Sequence, residues 1–201
     1  MKTSTQVVVI GGGVVGASIL YHLTKAGWTD VVLVERKELT AGSTWHAAGG
    51  MLTLNGDPNI AALQRYTVQL YKDIEEVSGV DCGIHQTGEL MLADTEERLD
   101  WLRMTHARGQ YLSMETEMIS VAEAKEMLPI LEEKYFAGAM WDPVGGHVDP
   151  SGVTNAYATA ARMAGAEVYR NTWAHDLVQK KDGTWDVVTE QGVINTEHIV
   201  N

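Results

Sequence analysis

The sequence has one cysteine, Cys82, among 201 residues. That excludes an internal disulfide, and with no other sign of an oxidising compartment the expected setting is a cytoplasm, or a mitochondrial matrix in a eukaryote. Basic side chains are also scarce: 15 Lys and Arg stand against 27 Asp and Glu, a net charge of −12. Such a field repels phosphate backbones and anionic lipid surfaces, so neither nucleic acid nor membrane is an expected partner. Internal repeats, low-complexity linkers and charged tails are missing, as is any Gly-x-Ser-x-Gly nucleophile setting for acyl transfer. Residues 3–24 contain no Asp, Glu, Lys or Arg, which superficially resembles a signal peptide. Three consecutive glycines, Gly11 to Gly13, break that run, and Gln6, Ser18 and His22 interrupt its apolar character, so a strand, tight turn and helix explain it better. With 45% apolar and 21% charged residues the chain can bury a real core, and disorder is excluded as the main reading.

What is present begins with Gln6 to Ile10, a β-branched run read as a central parallel strand covered on both faces. Val15, Ile19 and Leu23 then recur at helical spacing over residues 14–26, and Gly27 stands where a helix end needs positive φ. Val31 to Val34 is a second buried strand, completing a right-handed βαβ unit. Thr40 to Gly50 has no periodicity, and its backbone is the expected working surface. Asp57-Pro58 opens a helix running to about Val77, with Ile60, Leu63, Val68, Leu70 and Ile74 as its expected apolar contacts and Gly79 as its end. Glu89 to Ala93 reads as a strand, and Asp94 with Glu97, then Ser120 with Glu123, read as helix starts of capping-box type. Asp149-Pro150 opens an Ala-rich helix that closes at Gly165. Residues 167–178 and 185–189 are β-like, joined by a Lys181-Asp182-Gly183 hairpin turn, and Gly192 turns the chain toward a strand at residues 198–200.

Chemistry concentrates in Gly11-Gly12-Gly13-Val14-Val15-Gly16, a G-x-G-x-x-G placed after a buried strand and opening a helix. Gly11 permits the tight turn, Gly13 lets a pyrophosphate approach the backbone, and Gly16 lets helix and strand pack closely, so amides and the helix dipole face an anion. Glu35 ends the second strand, 35 − 16 = 19 residues later, where a carboxylate accepts hydrogen bonds from ribose hydroxyls and repels a 2′-phosphate. The fingerprint disfavours NADP but leaves NAD and FAD open, since both carry a pyrophosphate and an adenosine ribose.

Arg36 directly after Glu35, followed by Ser43, Thr44 and a second glycine cluster, resembles the D-amino-acid-oxidase-like flavoproteins. Within them Ser43-Thr44-Trp45-His46, Gly146 to Pro150 and Gly165-Ala166 are similar to the dimethylglycine and sarcosine dehydrogenase group. The resemblance implies an α/β fold: a Rossmann-like FAD-binding domain formed by residues 1–51 and 149–201, with residues 52–148 forming part of an α+β substrate domain or insertion. It also implies a chain truncated at its C-terminus. The cofactor it implies is FAD, held by Gly11, Gly13, Val14, Val15, Gly16, Glu35, Arg36, Ser43, Thr44, His46, Gly49, Gly50, Met51 and Ala174. His46 would be linked covalently to the flavin; the alternative is a histidine that only hydrogen-bonds near the ring. The implied reaction is oxidative N-demethylation of a small N-methyl amino acid, with an electron acceptor or folate as further partner in a full-length form. Rival readings are a non-catalytic FAD-binding fragment and a glycine- or proline-type amine oxidase of the same fold.

No catalytic residue transfers from the resemblance, because substrate-side groups in relatives lie mostly beyond this stretch. Other candidates have ordinary alternatives. Ser43 and Thr44 could bind flavin oxygens or only shape a turn. Trp45 could shield the ring edge or simply pack. Arg65, Arg98, Arg103 and Arg108 could clamp a carboxylate or form solvated helix faces. Cys82 and His85 lack the second pair a zinc site needs.

Overall fold

The computed structural model describes residues 1–201, in which the elements run in chain order as follows. The first half holds β1 (Ser4–Ile10), α1 (Val14–Lys25), β2 (Val31–Val34), a 3₁₀ turn (Ser43–His46), β3 (Gly50–Met51), α2 (Pro58–Ser78), β4 (Glu89–Ala93) and α3 (Glu96–Tyr111). The second holds β5 (Glu117–Ile119), α4 (Val121–Met127), a 3₁₀ turn (Glu133–Tyr135), β6 (Gly138–Asp142), β7 (Gly146–His147), α5 (Pro150–Met163), β8 (Glu167–Tyr169), β9 (Ala174–Gln179), β10 (Trp185–Thr189) and β11 (Gly192–Val200).

Two compact units result. One comprises Met1–Gly49, Tyr71–Gly83 and Asp149–Asn201, the other Gly50–Leu70 and Ile84–Val148. Residues 71–83, expected with the insertion, group with the first unit, where Ile74 is fully buried and the Tyr71 ring meets that of Tyr157 at 6.5 Å.

The first unit is built on a six-stranded sheet in the order β8-β2-β1-β11-β10-β9. β1 pairs in parallel with β2 and β11, and β2 with β8, so β1 is the central parallel strand its sequence predicts. β10 and β9 form an antiparallel arm on β11, through turns at Gly183 and Gly192. Side chains alternate along the strands. Val7, Val9, Val31 and Leu33 pack with Leu20 of α1 and Ala161 of α5, while Val8, Val32 and Val34 pack with Val187 and Ile194.

Residues 167–178 do not form the continuous β stretch expected of them. They divide into β8 and β9 on opposite edges of the sheet. Asn171 turns with a left-handed φ of 51°, while its N–H donates to the Lys37 carbonyl at 3.0 Å and the Thr172 N–H donates to the Glu35 carbonyl at 2.7 Å. These bonds draw the chain across the end of β2.

In the second unit β4, β6 and β5 form an antiparallel sheet with β6 central. Leu99 and Leu102 of α3 pack on Ala93 and Met140, and Ala124 of α4 packs on Leu131 and Ala139. Ser120 and Glu123 make the expected reciprocal capping box. The Asp94 start is displaced by one residue: Thr95 is the N-cap, its hydroxyl accepting from the Arg98 N–H at 3.2 Å. Three of the five expected α2 contacts are buried and the two nearest its start are not. Ile60 and Leu63 are exposed, whereas Ala61, Val68, Leu70 and Ile74 are buried.

The β4–β6 register sets Glu89 opposite Asp142. Asp142 is 1% exposed and accepts from the Thr53 hydroxyl and the Val144 N–H, both at 2.9 Å. Glu89 Oε2 is buried without a partner, and burial, then the Asp142 charge, raise the Glu89 carboxyl above the usual glutamate range. The folded chain therefore holds a proton that the unfolded chain releases, and stability should fall as pH rises from the ordinary glutamate value through the raised folded one. Glu89→Gln should flatten that slope and stabilise the protein above it by about 1 kcal/mol, checked by urea unfolding at pH 5 and pH 8.

Candidate cofactor-binding site

The glycine-rich turn between β1 and α1 is fixed by main-chain and carboxylate bonds. The Gly11 N–H donates to the Val34 carbonyl at 2.9 Å, and Gly11 has a φ of 108°. The Gly12 N–H donates to Glu35 Oε2 at 2.7 Å and its carbonyl accepts from the Thr40 N–H at 2.9 Å. Glu35 Oε1 accepts from the Lys37 N–H at 2.8 Å. Each carboxylate oxygen still has acceptor capacity, so the bonds to the loop leave room for ribose hydroxyls. Within this turn the tightest approach is at Gly16, where a Cβ would lie 2.0 Å from the Gly11 carbonyl oxygen.

Gly12 is a site residue that the fingerprint hides as an interchangeable x. A Cβ there would lie 2.6 Å from Leu39 Cδ2 and 2.9 Å from Glu35 Cβ. The run of three glycines is the sequence signal that could have found it.

Gly13 is the N-cap of α1 and offers no side-chain cap. The cap comes from a distance: the buried Thr44 hydroxyl accepts from the Val14 N–H at 2.9 Å. Thr44 is thus a helix cap here, a role neither of its sequence readings contained. The Val15 and Gly16 N–H groups precede the first α-helical bond, which Ala17 donates to Gly13, and the first turn has no acidic side chain. A cavity of about 290 Å³ opens before these amides, lined by Gly11, Gly13, Val15, Ser43, Thr44 and Val200 among others. Open glycines, free first-turn amides, an uncompensated helix dipole and an acid with spare acceptor sites fit the pyrophosphate and ribose of a dinucleotide.

Of the other expected residues, Ser43 lies beside Thr44 in the 3₁₀ turn, and Arg36 is exposed next to Glu35. Ala174 begins β9 and packs on the Val8, Val32 and Val34 cluster, two residues after the bond from Thr172 to Glu35. Gly49 closes the loop in the first unit, while Gly50 and Met51 form β3 in the second, where Gly50 pairs with His147.

His46 ends the 3₁₀ turn and is exposed. Its Nδ1 lies 3.0 Å from the Gly42 carbonyl oxygen, and its Nε2 3.1 Å from Trp45 Nε1. A carbonyl only accepts and an indole N–H only donates, so Nδ1 carries the proton and Nε2 the lone pair. Trp45 is 65% exposed and is not a core packing residue.

The remaining candidates have local structural partners. Arg65 donates to the Leu112 carbonyl at 3.2 Å, Arg98 lies over the Trp101 ring, and Arg103 pairs with Asp100 at 2.7 Å. Arg108 lines a cavity of about 230 Å³ with Leu54, Met91, Trp101 and Met104. Cys82 is buried, which pushes its thiol up to about 11, and the His85 ring stacks on His147 at 4.9 Å.

The architecture and the Gly-Glu clasp define an α/β dinucleotide-binding protein. The chain belongs to the FAD dependent oxidoreductase family, whose profile it matches over residues 6–201, and FAD is the cofactor of that family. It is 40% identical over 200 residues to human mitochondrial dimethylglycine dehydrogenase, covering 100% of this chain and 23% of that protein. It is 34% identical over 210 residues to human mitochondrial sarcosine dehydrogenase, again covering 100% of this chain, and 22% of that protein. Among solved structures, L-proline dehydrogenase from P. horikoshii superposes with a TM-score of 0.91 at 29% identity, covering 100% of this chain and 53% of that one. The chain thus spans under a quarter of the two dehydrogenases it resembles.

Gly16→Ala should drive α1 off the end of β1, costing about 1–3 kcal/mol and weakening FAD binding, as read by thermal melts and flavin retention on gel filtration. Thr44→Val should lose the cap on Val14 and about 1 kcal/mol of stability with the fold preserved, measured by chemical denaturation.

Proposed function

We propose that this chain is the cofactor-holding portion of an FAD-dependent amine dehydrogenase that oxidatively demethylates a small N-methyl amino acid, dimethylglycine or sarcosine. The observation that carries the reading is the Ser43-Thr44-Trp45-His46 turn, in which Thr44 caps α1 and His46 ends the same turn beside the anion cradle. Identity to dimethylglycine and sarcosine dehydrogenases along the whole chain supports it.

Gly13, Val15 and Gly16 would receive the pyrophosphate through amides and the helix dipole, Gly11 and Val14 would shape the turn that presents them, and Glu35 would hold the adenosine ribose. Arg36 and Ala174 would flank the adenosine, and Ser43, Thr44 and Gly49 would line the path toward the flavin. His46 would be its covalent attachment point. Bound FAD supplies two-electron oxidation of the carbon next to the substrate nitrogen, leaving an iminium that water converts to formaldehyde or from which folate takes the one-carbon unit. The task of this chain's own residues is to anchor the cofactor and set its potential.

A second reading, a proline- or glycine-type amine oxidase with dissociable flavin, is favoured by the likeness to L-proline dehydrogenase. Acid precipitation separates the two. Attachment predicts protein that stays yellow-fluorescent on a denaturing gel, and His46→Ala should release all flavin into the acid supernatant. Anaerobic bleaching of the flavin band by dimethylglycine or sarcosine, and not by proline or glycine, then tests the substrate class.

A further inference from the structure

The second unit has a cavity of its own, about 230 Å³ in volume, where the segment between β3 and α2 meets α3. Trp101, Met104, Thr105 and Arg108 follow one another at steps of three and four residues along α3, so they share a face. Leu54 and Met91 complete its apolar walls. The polar groups are few and mostly donors. Arg65, Arg98 and Arg103 have partners in the Leu112 carbonyl, the Trp101 ring and Asp100, whereas the Arg108 guanidinium has no acceptor within the chain. Asn55 Oδ1 accepts the Asp57 N–H at 3.0 Å, which leaves the Asn55 NH₂ to donate. Thr105 gives its hydroxyl proton to the Trp101 carbonyl at 2.8 Å. Gly56 leaves the guanidinium uncrowded, since even a Cβ there would lie 3.8 Å from Arg108 Nη1. No acidic side chain lines the cavity.

We infer that this cavity binds a small monocarboxylic acid with an apolar, ring-sized body and no amino group. The planar fork of Arg108 matches a carboxylate and can hold both of its oxygens, and the Asn55 amide adds a further donor. The body is set by the walls: Met91 and Met104 offer polarisable sulfur and Trp101 a ring surface, which together favour an aromatic or branched group. Its size is set by the volume, which lies below the range of about 300–1,000 Å³ typical of pockets for larger ligands. An amino acid is rejected, because its ammonium group would lose water with no carboxylate to receive it. Charge complementarity points the same way. The chain carries a net charge of −12 and repels anions in general, yet Arg108 stands unpaired here and Arg98 places a second guanidinium 4.0 Å from the centre of the Trp101 ring.

An occupant would tie two elements together, with its carboxylate on Arg108 and Asn55 and its body against Trp101 and Met104. Arg108 also has an ordinary role, as a cation in the last turn of α3 where it complements the helix dipole. That role predicts a change in stability on substitution but no discrimination among ligands, so binding measurements separate the two.

The test titrates phenylacetate into the full chain, following the heat of binding and tryptophan emission. Expected is a Kd of about 1 mM or tighter, the range open to a ligand of about ten non-hydrogen atoms. The emission change should vanish in Trp101→Phe while the heat remains, and the melting temperature should climb with ligand concentration. Acetate, which lacks the body, and phenylalanine, which adds an ammonium group, should each bind at least about tenfold more weakly. Arg108→Gln should weaken phenylacetate binding about tenfold or more, the factor that one charged hydrogen bond represents. Arg103→Gln makes the same charge change on the same helix and should leave the affinity within about twofold. No binding of phenylacetate up to about 10 mM overturns the inference. So does equal affinity for acetate or phenylalanine, an unchanged Kd in Arg108→Gln, an equal loss in Arg103→Gln, or an emission change that persists in Trp101→Phe. If Arg108→Gln does not fold, the ranking of the three ligands and the Trp101 signal still decide. None of these readouts involves flavin, so they stand apart from the tests of demethylation.

Discussion

The Glu35 carboxylate on the Gly12 amide is the contact from which the rest of the site takes its shape. It is a charge-assisted bond of 2.7 Å between the end of β2 and the turn after β1, and it holds the glycine loop where side chains cannot. Thr40 completes the clasp by donating to the Gly12 carbonyl. With the loop pinned, Gly13 can cap α1, Thr44 can reach Val14, and the remaining first-turn amides face open space. A carboxylate usually described as a sugar ligand is here first a structural brace. Cradle and acid are therefore one device, and disturbing either disturbs both.

The second unit contains a different kind of constraint. Asp142 is satisfied by Thr53 and Val144, so the cost of burying two carboxyls falls on Glu89, which has no partner for one oxygen. Burial, then the Asp142 charge, hold the Glu89 carboxyl above the usual glutamate range. A pair of this kind is placed by strand register, and neither residue carries a signal of it in isolation.

Much of the fold was legible because local chemistry and periodicity agreed. β1, α1 and β2 stand where the β-branched runs and the Val15-Ile19-Leu23 spacing put them, and Asp149 caps α5 as its Asp-Pro signature requires. What escaped was decided by partners distant in the chain. Residues 167–178 are rich in β-branched and aromatic residues, yet bonds to Lys37 and Glu35 turn them at Asn171. Asp94 and Thr95 are both competent caps, and only the helix phase selects the second. At the site, the glycine spacing and Glu35 were readable as a motif, whereas the Thr44 cap spans 30 residues and the Trp45-His46 bond is a matter of rotamer.

The placement of β11 bears on how the protein is made. β1 emerges first, yet one of its two partners is the last strand, and the Thr196 hydroxyl reaches the Gln6 carbonyl across 190 positions. During translation the hydrophobic centre of the sheet therefore waits with one edge unpaired until β11 has left the ribosome. Loop closure over that separation slows folding, and the waiting edge is a template for wrong pairing.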